Sequence, residues 1–268
     1  MSSDAPIGVF DSGVGGLTVV REIMRQIPGE RIVYFGDTAR VPYGNKSKET
    51  VITYSRQIVK FLRTKDVKAV VIACNTASAF ALETIKEEID IPMIGVVKPG
   101  AKVAAETTKN GRIGIIGTEG TIHSGIYNEF LSETNPNVKV YGKACPLFVP
   151  LVEEGLLEDS VTYEMAGRYL NELLQYGIDT LVLGCTHYPL IRHTIQKVVG
   201  DGITLVNPAY ETAISLKEVL VANHIENAGN GGGHRFYVSD GAEKFKEFAN
   251  TILPCEVLKT KDINIEQY

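Results

Sequence analysis

Two copies of one short pattern constrain the fold of this chain more than any other feature. In each copy a run of apolar residues leads into a cysteine, two polar residues follow, and the next segment has helical character. The copies span residues 68–78, with Cys74, and residues 180–189, with Cys185, so the cysteines are 185 − 74 = 111 residues apart. Continuous apolar runs of this length are typical of strands buried in a parallel sheet. Each cysteine is therefore predicted at the carboxyl end of a strand.

The rest of the chain alternates predicted strands with predicted helices. Apolar runs predict further strands at residues 7–10, 31–35, 93–97, 112–116, 138–141 and 203–206. Helical periodicity predicts helices at residues 17–26, 48–65, 77–89, 124–133, 163–176, 190–199, 210–223 and 242–252. Such alternation indicates parallel sheets with helices on both faces. We predict an α/β fold of two similar, flavodoxin-like, doubly wound domains with the active site between them.

The segment after residue 207 does not continue the second repeat. It contains a helix, a glycine-rich connection at 226–234 and predicted strands at 235–239 and 256–259. Because the two strand ends must meet, we expect the chain to cross back at Pro208 and complete the first domain. The predicted domains are therefore residues 1–98 with 208–268, and residues 99–207.

Composition narrows the class of function. The 268 residues are 22% charged and 44% hydrophobic, with a net charge of −5, and this balance gives no sign of the basic surface that binds nucleic acid. Residues 1–6 lack the features of a signal peptide, and no apolar run reaches the roughly 18 residues of a membrane span. We expect a cytoplasmic protein with no nucleic-acid or membrane partner. Its four cysteines are expected to be reduced thiols.

Two superficially familiar motifs do not predict a cofactor or a metal. Residues 11–16 look like a phosphate loop, but the dinucleotide fingerprint requires glycine where Thr18 stands, and no Gly-Lys-Ser/Thr follows. His187 and His193 have no zinc-type spacing to the cysteines. We therefore predict neither cofactor nor metal.

The residues predicted at the carboxyl ends of strands, where ligands bind in open α/β sheets, are mostly hydroxyl-bearing. They are Asp11, Ser12, Tyr43, Cys74, Asn75, Thr76, Thr118, Cys185, Thr186 and His187. No lysine or arginine is among them, but backbone N–H groups at helix starts bind anions. A small carboxylate suits such a site.

The two cysteines predict proton transfer from opposite sides of a bound molecule. A free thiol has a pKa of about 8.5, and a helix start contributes only about 0.3–1 kcal/mol, so a neighbour such as Asp11 or His187 must help. Two adjacent thiolates repel each other, which favours one thiolate and one thiol that titrate as a pair. Removing a proton from one face and returning one to the other inverts a stereocentre.

Four motifs, at residues 11–16, 42–44, 73–76 and 184–189, resemble the signatures of the glutamate racemase family. The resemblance implies a cofactor-independent isomerase, usually a homodimer, that supplies D-glutamate for peptidoglycan and thus for cell wall biogenesis and cell shape. It also implies that Cys74 acts on D-glutamate and Cys185 on L-glutamate.

The same resemblance assigns roles to the residues around the cysteines. Binding of the amino acid falls to Asp11, Ser12, Tyr43, Gly44, Asn75, Thr76, Thr186 and His187, and Thr118 is added to them for its predicted position at a strand end. Catalytic assistance, by tuning the thiols or the ammonium group, falls to Asp11, Glu153 and His187.

Three alternatives remain open at this point. The chain could be an aspartate racemase of the same superfamily, a cysteine hydrolase or decarboxylase on the same scaffold, or a non-catalytic amino-acid binding module. The other two cysteines, Cys145 and Cys255, are predicted to be core residues, because an isolated cysteine is usually buried.

Overall fold

Two parallel sheets organise the computed structural model, which describes residues 2–227, 229 and 231–268. The first sheet has the order β10-β9-β2-β1-β3-β4. Its strands are β1 Ile7–Asp11, β2 Ile32–Gly36, β3 Ala69–Ile72, β4 Met93–Gly95, β9 Arg235–Val238 and β10 Thr260–Asp262. The second sheet has the order β6-β5-β7-β8. Its strands are β5 Arg112–Gly117, β6 Lys139–Ala144, β7 Thr180–Gly184 and β8 Thr204–Val206.

Helices connect the strands and cover both faces of each sheet. They are α1 Leu17–Gln26, α2 Lys48–Arg63, α3 Asn75–Lys86, α4 Val97–Thr107, α5 Glu119–His123, α6 Ile126–Thr134, α7 Phe148–Glu153, α8 Ser160–Leu174, α9 Arg192–Val199, α10 Pro208–Ala222 and α11 Ala242–Ile252. Every strand pairing is parallel. The predicted fold class, α/β with two parallel sheets, is confirmed. None of the helices in the described part of the chain is long and apolar enough to span a bilayer.

Three apolar clusters form the core. A central cluster joins the facing sides of the two sheets through α1, α4, α6 and α10, and includes Val9, Val71, Ala104, Ile115 and Val182. A first outer cluster packs α2 and α3 on the other face of the first sheet. A second outer cluster packs α7, α8 and α9 on the other face of the second sheet. We use "first unit" for the first sheet with α1–α3 and α11, and "second unit" for the second sheet with α5–α9.

The strand that carries each cysteine ends just before it, as the apolar runs predict. β3 ends at Ile72 and α3 begins at Asn75, so Cys74 is the N-cap residue of α3. β7 ends at Gly184, but a 3-10 turn, Tyr188–Ile191, separates Cys185 from α9. The helix predicted to start at residue 190 therefore starts two residues later, and the two copies of the pattern differ after the cysteine.

Two predicted strands are wrong in their bounds, and some helices of the structure were not predicted. The strand predicted at 93–97 ends at Gly95, and α4 follows with Pro99 in its first turn, where the missing N–H group costs nothing. The short helix α7 contains Pro150 and was not predicted. The last strand lies at Thr260–Asp262 instead of 256–259, because Val257 is buried in the central cluster while the polar edge strand pairs with β9.

The predicted domain boundaries fall at the helices that lie between the sheets. The boundary after residue 98 is inside α4, and the boundary at 207 coincides with Asn207, the N-cap of α10. The first sheet takes β9 and β10 from the end of the chain. Because α4 and α10 pack in the cluster shared by both sheets, the division into two domains at these residues stays a prediction. Of the glycine-rich connection predicted at 226–234, Ala228 and Asn230 lie outside the described residues.

Candidate active site

A cavity lies at the carboxyl ends of β1, β3, β5 and β7, between the two units. The cavity is nearly closed, because the space in it that is open to water-sized molecules is only about 20 Å³. It is lined by Ser12, Val41, Pro42, Tyr43, Gly44, Cys74, Asn75, Thr76, Thr118, Val149, Cys185, Thr186 and His187. The predicted site residues are thus brought together from both units, with Asp11 and Glu153 just behind this lining.

Cys74 reaches the cavity from the first unit and is held in a low-dielectric setting. Its Sγ accepts a hydrogen bond from the Ala77 N–H at 3.4 Å, and it is 6% exposed. Burial and the nearby Asp11 carboxylate raise the pKa of Cys74 to about 12, against the opposing effect of the Ala77 N–H and the Ser12 hydroxyl. The neutral thiol is therefore the favoured form of Cys74.

Cys185 reaches the cavity from the second unit and has a histidine beside it. Its Sγ is 3.8 Å from Nδ1 of His187, and Nε2 of His187 is 3.0 Å from Oε1 of Glu153. Burial alone would lower the pKa of His187, but hydrogen bonds to Cys185 and Glu153 raise it to about 10. The hydrogen bond from His187 lowers the pKa of Glu153 despite its partial burial. A protonated His187 stabilises a thiolate at Cys185.

Asp11 is buried beneath the turn that follows β1. Its Oδ2 accepts from the Gly13 N–H at 3.0 Å, and its Oδ1 accepts from the Thr186 hydroxyl at 3.4 Å. Burial raises the pKa of Asp11, although His187 and the turn N–H groups oppose the shift. Asp11 thus orients Thr186 and acts on Cys74 and His187 through its charge.

Three threonine hydroxyls form a triangle at one side of the cavity, where Thr76 and Thr118 belong to the lining and Thr121 lies behind them. The Oγ1 atoms of Thr76, Thr118 and Thr121 are separated by 2.9, 3.2 and 3.1 Å, and Thr76 comes from the first unit while the other two come from the second. Thr121 was not among the predicted residues. Its signal was its position three residues after Thr118, which places both on the same side of the α5 start.

Tyr43 contributes its ring and backbone to the cavity wall, but its hydroxyl is engaged elsewhere. That hydroxyl donates to the Asp37 carboxylate, which also accepts from Nε of Arg40 at 2.8 Å. Asp37 is fully buried and was missed by the sequence reasoning, because it lies in the irregular loop after β2. The network fixes the segment that carries Tyr43 and Gly44.

The remaining cysteines lie away from the cavity lining. Cys145 is fully buried in the second outer cluster, as predicted for a core residue. Cys255 is only partly buried against the central cluster, so it is not the core residue that was predicted. Among the described residues there is no group of three or more His, Cys, Asp and Glu side chains that could hold a metal ion.

The arrangement combines a neutral thiol, a thiol beside a cationic imidazole and many hydrogen-bond donors. The two sulfur atoms come from opposite units, and hydroxyls and helix starts face the space between them. A donor-rich pocket of this kind suits carboxylates. Its chemical capacity is acid–base transfer at a carbon held between two thiols.

Known proteins are similar to this chain in both sequence and fold. Residues 7–213 match the family model described as Asp/Glu/hydantoin racemase. The glutamate racemase of Geobacter metallireducens is 48% identical over 261 residues, which cover 97% of each chain. A glutamate racemase isoform from Bacillus anthracis has a TM-score of 0.95 at 41% identity over 98% of each chain. The Francisella tularensis glutamate racemase, solved in complex with D-glutamate, has a TM-score of 0.93 at 37% identity, covering 99% of this chain and 100% of that one.

Proposed function

The chain belongs to the Asp/Glu/hydantoin racemase family, and from this membership we propose that it is a glutamate racemase that interconverts L- and D-glutamate. Near-complete coverage of relatives named for that activity supports the substrate. The observation that carries the proposal is the pair Cys74 and Cys185, which line one cavity from opposite units. The activity is an isomerisation and requires no net redox or group transfer.

We further propose a two-base mechanism in which the cysteines exchange roles in each turnover. For L-glutamate, the Cys185 thiolate removes the α-proton, and the Cys74 thiol donates its own proton to the opposite face of the α-carbon. The product is D-glutamate, with Cys185 now a thiol and Cys74 a thiolate. The reverse reaction starts from this second state. The assignment of each cysteine to an enantiomer follows the family resemblance.

The groups around the cysteines supply charge and orientation. The His187 imidazole, which is held by Glu153, carries a positive charge that stabilises the Cys185 thiolate. On the other side, the Ala77 N–H and the Ser12 hydroxyl are donors to Cys74 and stabilise its thiolate after proton transfer. The groups that surround Cys185 thus differ from those that surround Cys74. The contrast supports catalytic roles for His187 and Glu153 in addition to the two cysteines, with Asp11 acting through its buried charge.

Substrate binding is proposed for the donors that surround the cavity. Carboxylate oxygens would accept from the hydroxyls and from the N-termini of α3 and α5, where the N–H groups lie free of intrahelical partners. The residues proposed for this role are Ser12, Gly44, Asn75, Thr76, Thr118 and Thr186, with Asp11, Tyr43 and His187 beside them.

The wider setting is proposed from the family resemblance. It comprises a cytoplasmic homodimer without a cofactor, whose D-glutamate serves peptidoglycan synthesis, cell wall biogenesis and cell shape. Light scattering on the purified protein at micromolar concentration tests the dimer, since a monomer mass of 29.2 kDa would contradict it.

The activity is tested by incubating the purified protein with L-glutamate in deuterated water. We expect loss of circular dichroism from the amino acid together with deuterium at the α-carbon, and no acceleration by added pyridoxal phosphate. L-aspartate under the same conditions is the comparison. Faster turnover of L-aspartate would identify aspartate, instead of glutamate, as the substrate. If neither amino acid exchanged its α-hydrogen for deuterium, racemase activity would be contradicted.

A further inference from the structure

A hydrogen bond between the two units holds the residue that follows Cys74. Tyr127, in α6 of the second unit, donates its phenol hydroxyl to Oδ1 of Asn75 at 2.8 Å. Asn75 lines the cavity and is 5% exposed, while Tyr127 is 3% exposed. The bond is therefore shielded from water and exists only when the two units are in contact.

Tyr127 also touches the strand end that carries the other cysteine. A Cβ atom placed on Gly184, the residue before Cys185, would lie 3.3 Å from Cε2 of the Tyr127 ring. The same ring packs in the central cluster with Leu131. One side chain thus contacts the neighbours of both cysteines, one through its hydroxyl and the other through its ring.

The direction of the hydrogen bond decides what Asn75 presents to a ligand. An asparagine amide has an acceptor oxygen and a donor NH₂ group on opposite sides. Burial and the nearby Cys185 raise the pKa of Tyr127, so its hydroxyl keeps the proton that it donates. With its oxygen occupied by that proton, the Asn75 amide has its NH₂ group left to donate to a carboxylate.

We propose that Tyr127 is a positioning residue, which acts through Asn75 and makes the orientation of this amide depend on contact between the two units. The proposal rests on the proposed function for the identity of the ligand, a dicarboxylic amino acid. It assigns to α6 a part in recognition, although Tyr127 is separated from the cavity by Asn75.

Tyr127→Phe tests the proposal, because the ring and its apolar packing are kept while the donor is removed. We expect the dissociation constant for D-glutamate, measured by titration calorimetry, to rise by about three- to tenfold, the effect of one hydrogen bond. The kcat/KM should fall by a similar factor for both enantiomers, since enantiomers have equal free energies and the two values must change together.

Tyr188→Phe is the matched control. Tyr188 is also buried in the second unit and donates a hydrogen bond of 2.8 Å, but its acceptor is the Cys145 carbonyl. We expect a similar loss of thermal stability in both variants and less than a twofold change in glutamate affinity for the control. Equal affinity losses in the two variants would reduce Tyr127 to a general packing role and overturn the proposal.

A double-mutant cycle with Asn75→Ala separates positioning from direct action. If Tyr127 acts through Asn75, adding Tyr127→Phe to Asn75→Ala should change glutamate affinity less than twofold. An undiminished loss in that background, or wild-type affinity in Tyr127→Phe itself, would contradict the proposal. Wild-type protein that binds glutamate without racemising it would contradict the proposed function, and the calorimetric comparison would still decide the role of Tyr127.

Discussion

The two cysteines occupy equivalent positions after their strands but differ in the groups around them. Cys74 has backbone and hydroxyl donors and an anionic neighbour, Asp11. Cys185 has His187, whose other nitrogen is held by Glu153. The difference favours a neutral thiol at Cys74 and places a cationic imidazole beside Cys185.

Removal of either sulfur atom should separate proton removal from inversion. We expect Cys74→Ala to lower racemisation at least 10²-fold, because no acid remains on its face of the substrate. The variant should still exchange the α-hydrogen of L-glutamate with deuterated water through Cys185, which proton NMR can follow. Cys185→Ala should show the reverse preference, for D-glutamate. Full racemisation by either variant would rule out the two-base mechanism.

His187 should make the folded protein less stable at alkaline pH. Its pKa is raised from 6.5 to about 10 in the folded state, so its contribution is complete below pH 6.5 and is lost as the pH rises through 10. The raised pKa of Cys74, from 9.0 to about 12, acts in the same direction above pH 9. We expect the urea midpoint to fall between pH 7 and pH 10.

His187→Asn should flatten that fall, and His193→Asn supplies the control. The His193 side chain is 60% exposed and 3.9 Å from Glu158, so its charge is screened by water. Urea midpoints of the three proteins at pH 7 and pH 10 provide the measurement. An unchanged pH dependence in His187→Asn would show that the imidazole is not held as a cation.

At the scale of elements, the sequence predicted best where burial is continuous. β3 and β7 follow from uninterrupted apolar runs, and α11 has the predicted bounds. α4 was missed because its start merges with β4 and carries a proline, while β10 is a polar edge strand with no apolar signal. Local pattern therefore identifies the elements of the core, and pairing at a sheet edge has to be seen in the structure.

The 3-10 turn Tyr43–Asn45 packs so closely on the start of α5 that residue 44 must be glycine. A Cβ on Gly44 would lie 2.6 Å from Cβ of Thr118, which belongs to the other unit. The two atoms belong to different units, so in Gly44→Ala we expect the overlap to cost about 1–3 kcal/mol only while the units are in contact at the cavity. We expect glutamate affinity to fall by about tenfold with little change in thermal stability.

Gly167→Ala is the comparison for that variant. Gly167 lies within α8, and a Cβ there would meet no atom within 4 Å. Alanine in the middle of a helix should stabilise the protein by about 0.5–1 kcal/mol and leave glutamate affinity unchanged. Calorimetry and thermal melts of both variants give the result, and wild-type affinity in Gly44→Ala would argue against contact between the turn and α5 in the bound state.

At the scale of the whole molecule, the two units are joined differently on their two sides. On one side, α1, α4, α6 and α10 share the apolar central cluster. On the cavity side, hydrogen bonds join the two units. They are Thr18 to the Thr186 carbonyl at 2.9 Å, Thr186 to Asp11, Thr76 to Thr118 and Tyr127 to Asn75. We expect opening on the cavity side to break these hydrogen bonds and the apolar side to act as the hinge.

The same geometry explains which site residues the sequence could predict. Cys74 and Cys185 lie in local motifs, and their meeting follows from the repeated pattern. Asp37 and Tyr127 contribute through contacts that depend on how the loops and the two units pack. No local spacing encodes these two contacts, whereas Thr121 has a local signal in its position three residues after Thr118.

Native cysteines can report on opening of the hinge. Cys185 and Cys145 both belong to the second outer cluster, but Cys185 faces the cavity and Cys145 is fully buried. A thiol reagent should reach Cys185 through opening, which we expect to expose far less surface than unfolding, so its labelling rate should depend weakly on urea. Labelling of Cys145 requires unfolding of the core and should rise steeply with urea, because the slope measures exposed surface.

D-glutamate adds a second test of the same hinge. A ligand that bridges the two units should slow labelling of Cys185 and Cys74 at every urea concentration below the unfolding transition, because it holds the cavity side closed. Cys145 should be protected only to the extent that the ligand stabilises the whole fold, about 2.7 kcal/mol at one hundred times the dissociation constant. Mass spectrometry of pulse-labelled protein resolves the individual cysteines. Equal urea slopes for Cys185 and Cys145 would mean that the cavity opens only by unfolding, and the hinge would have to be abandoned.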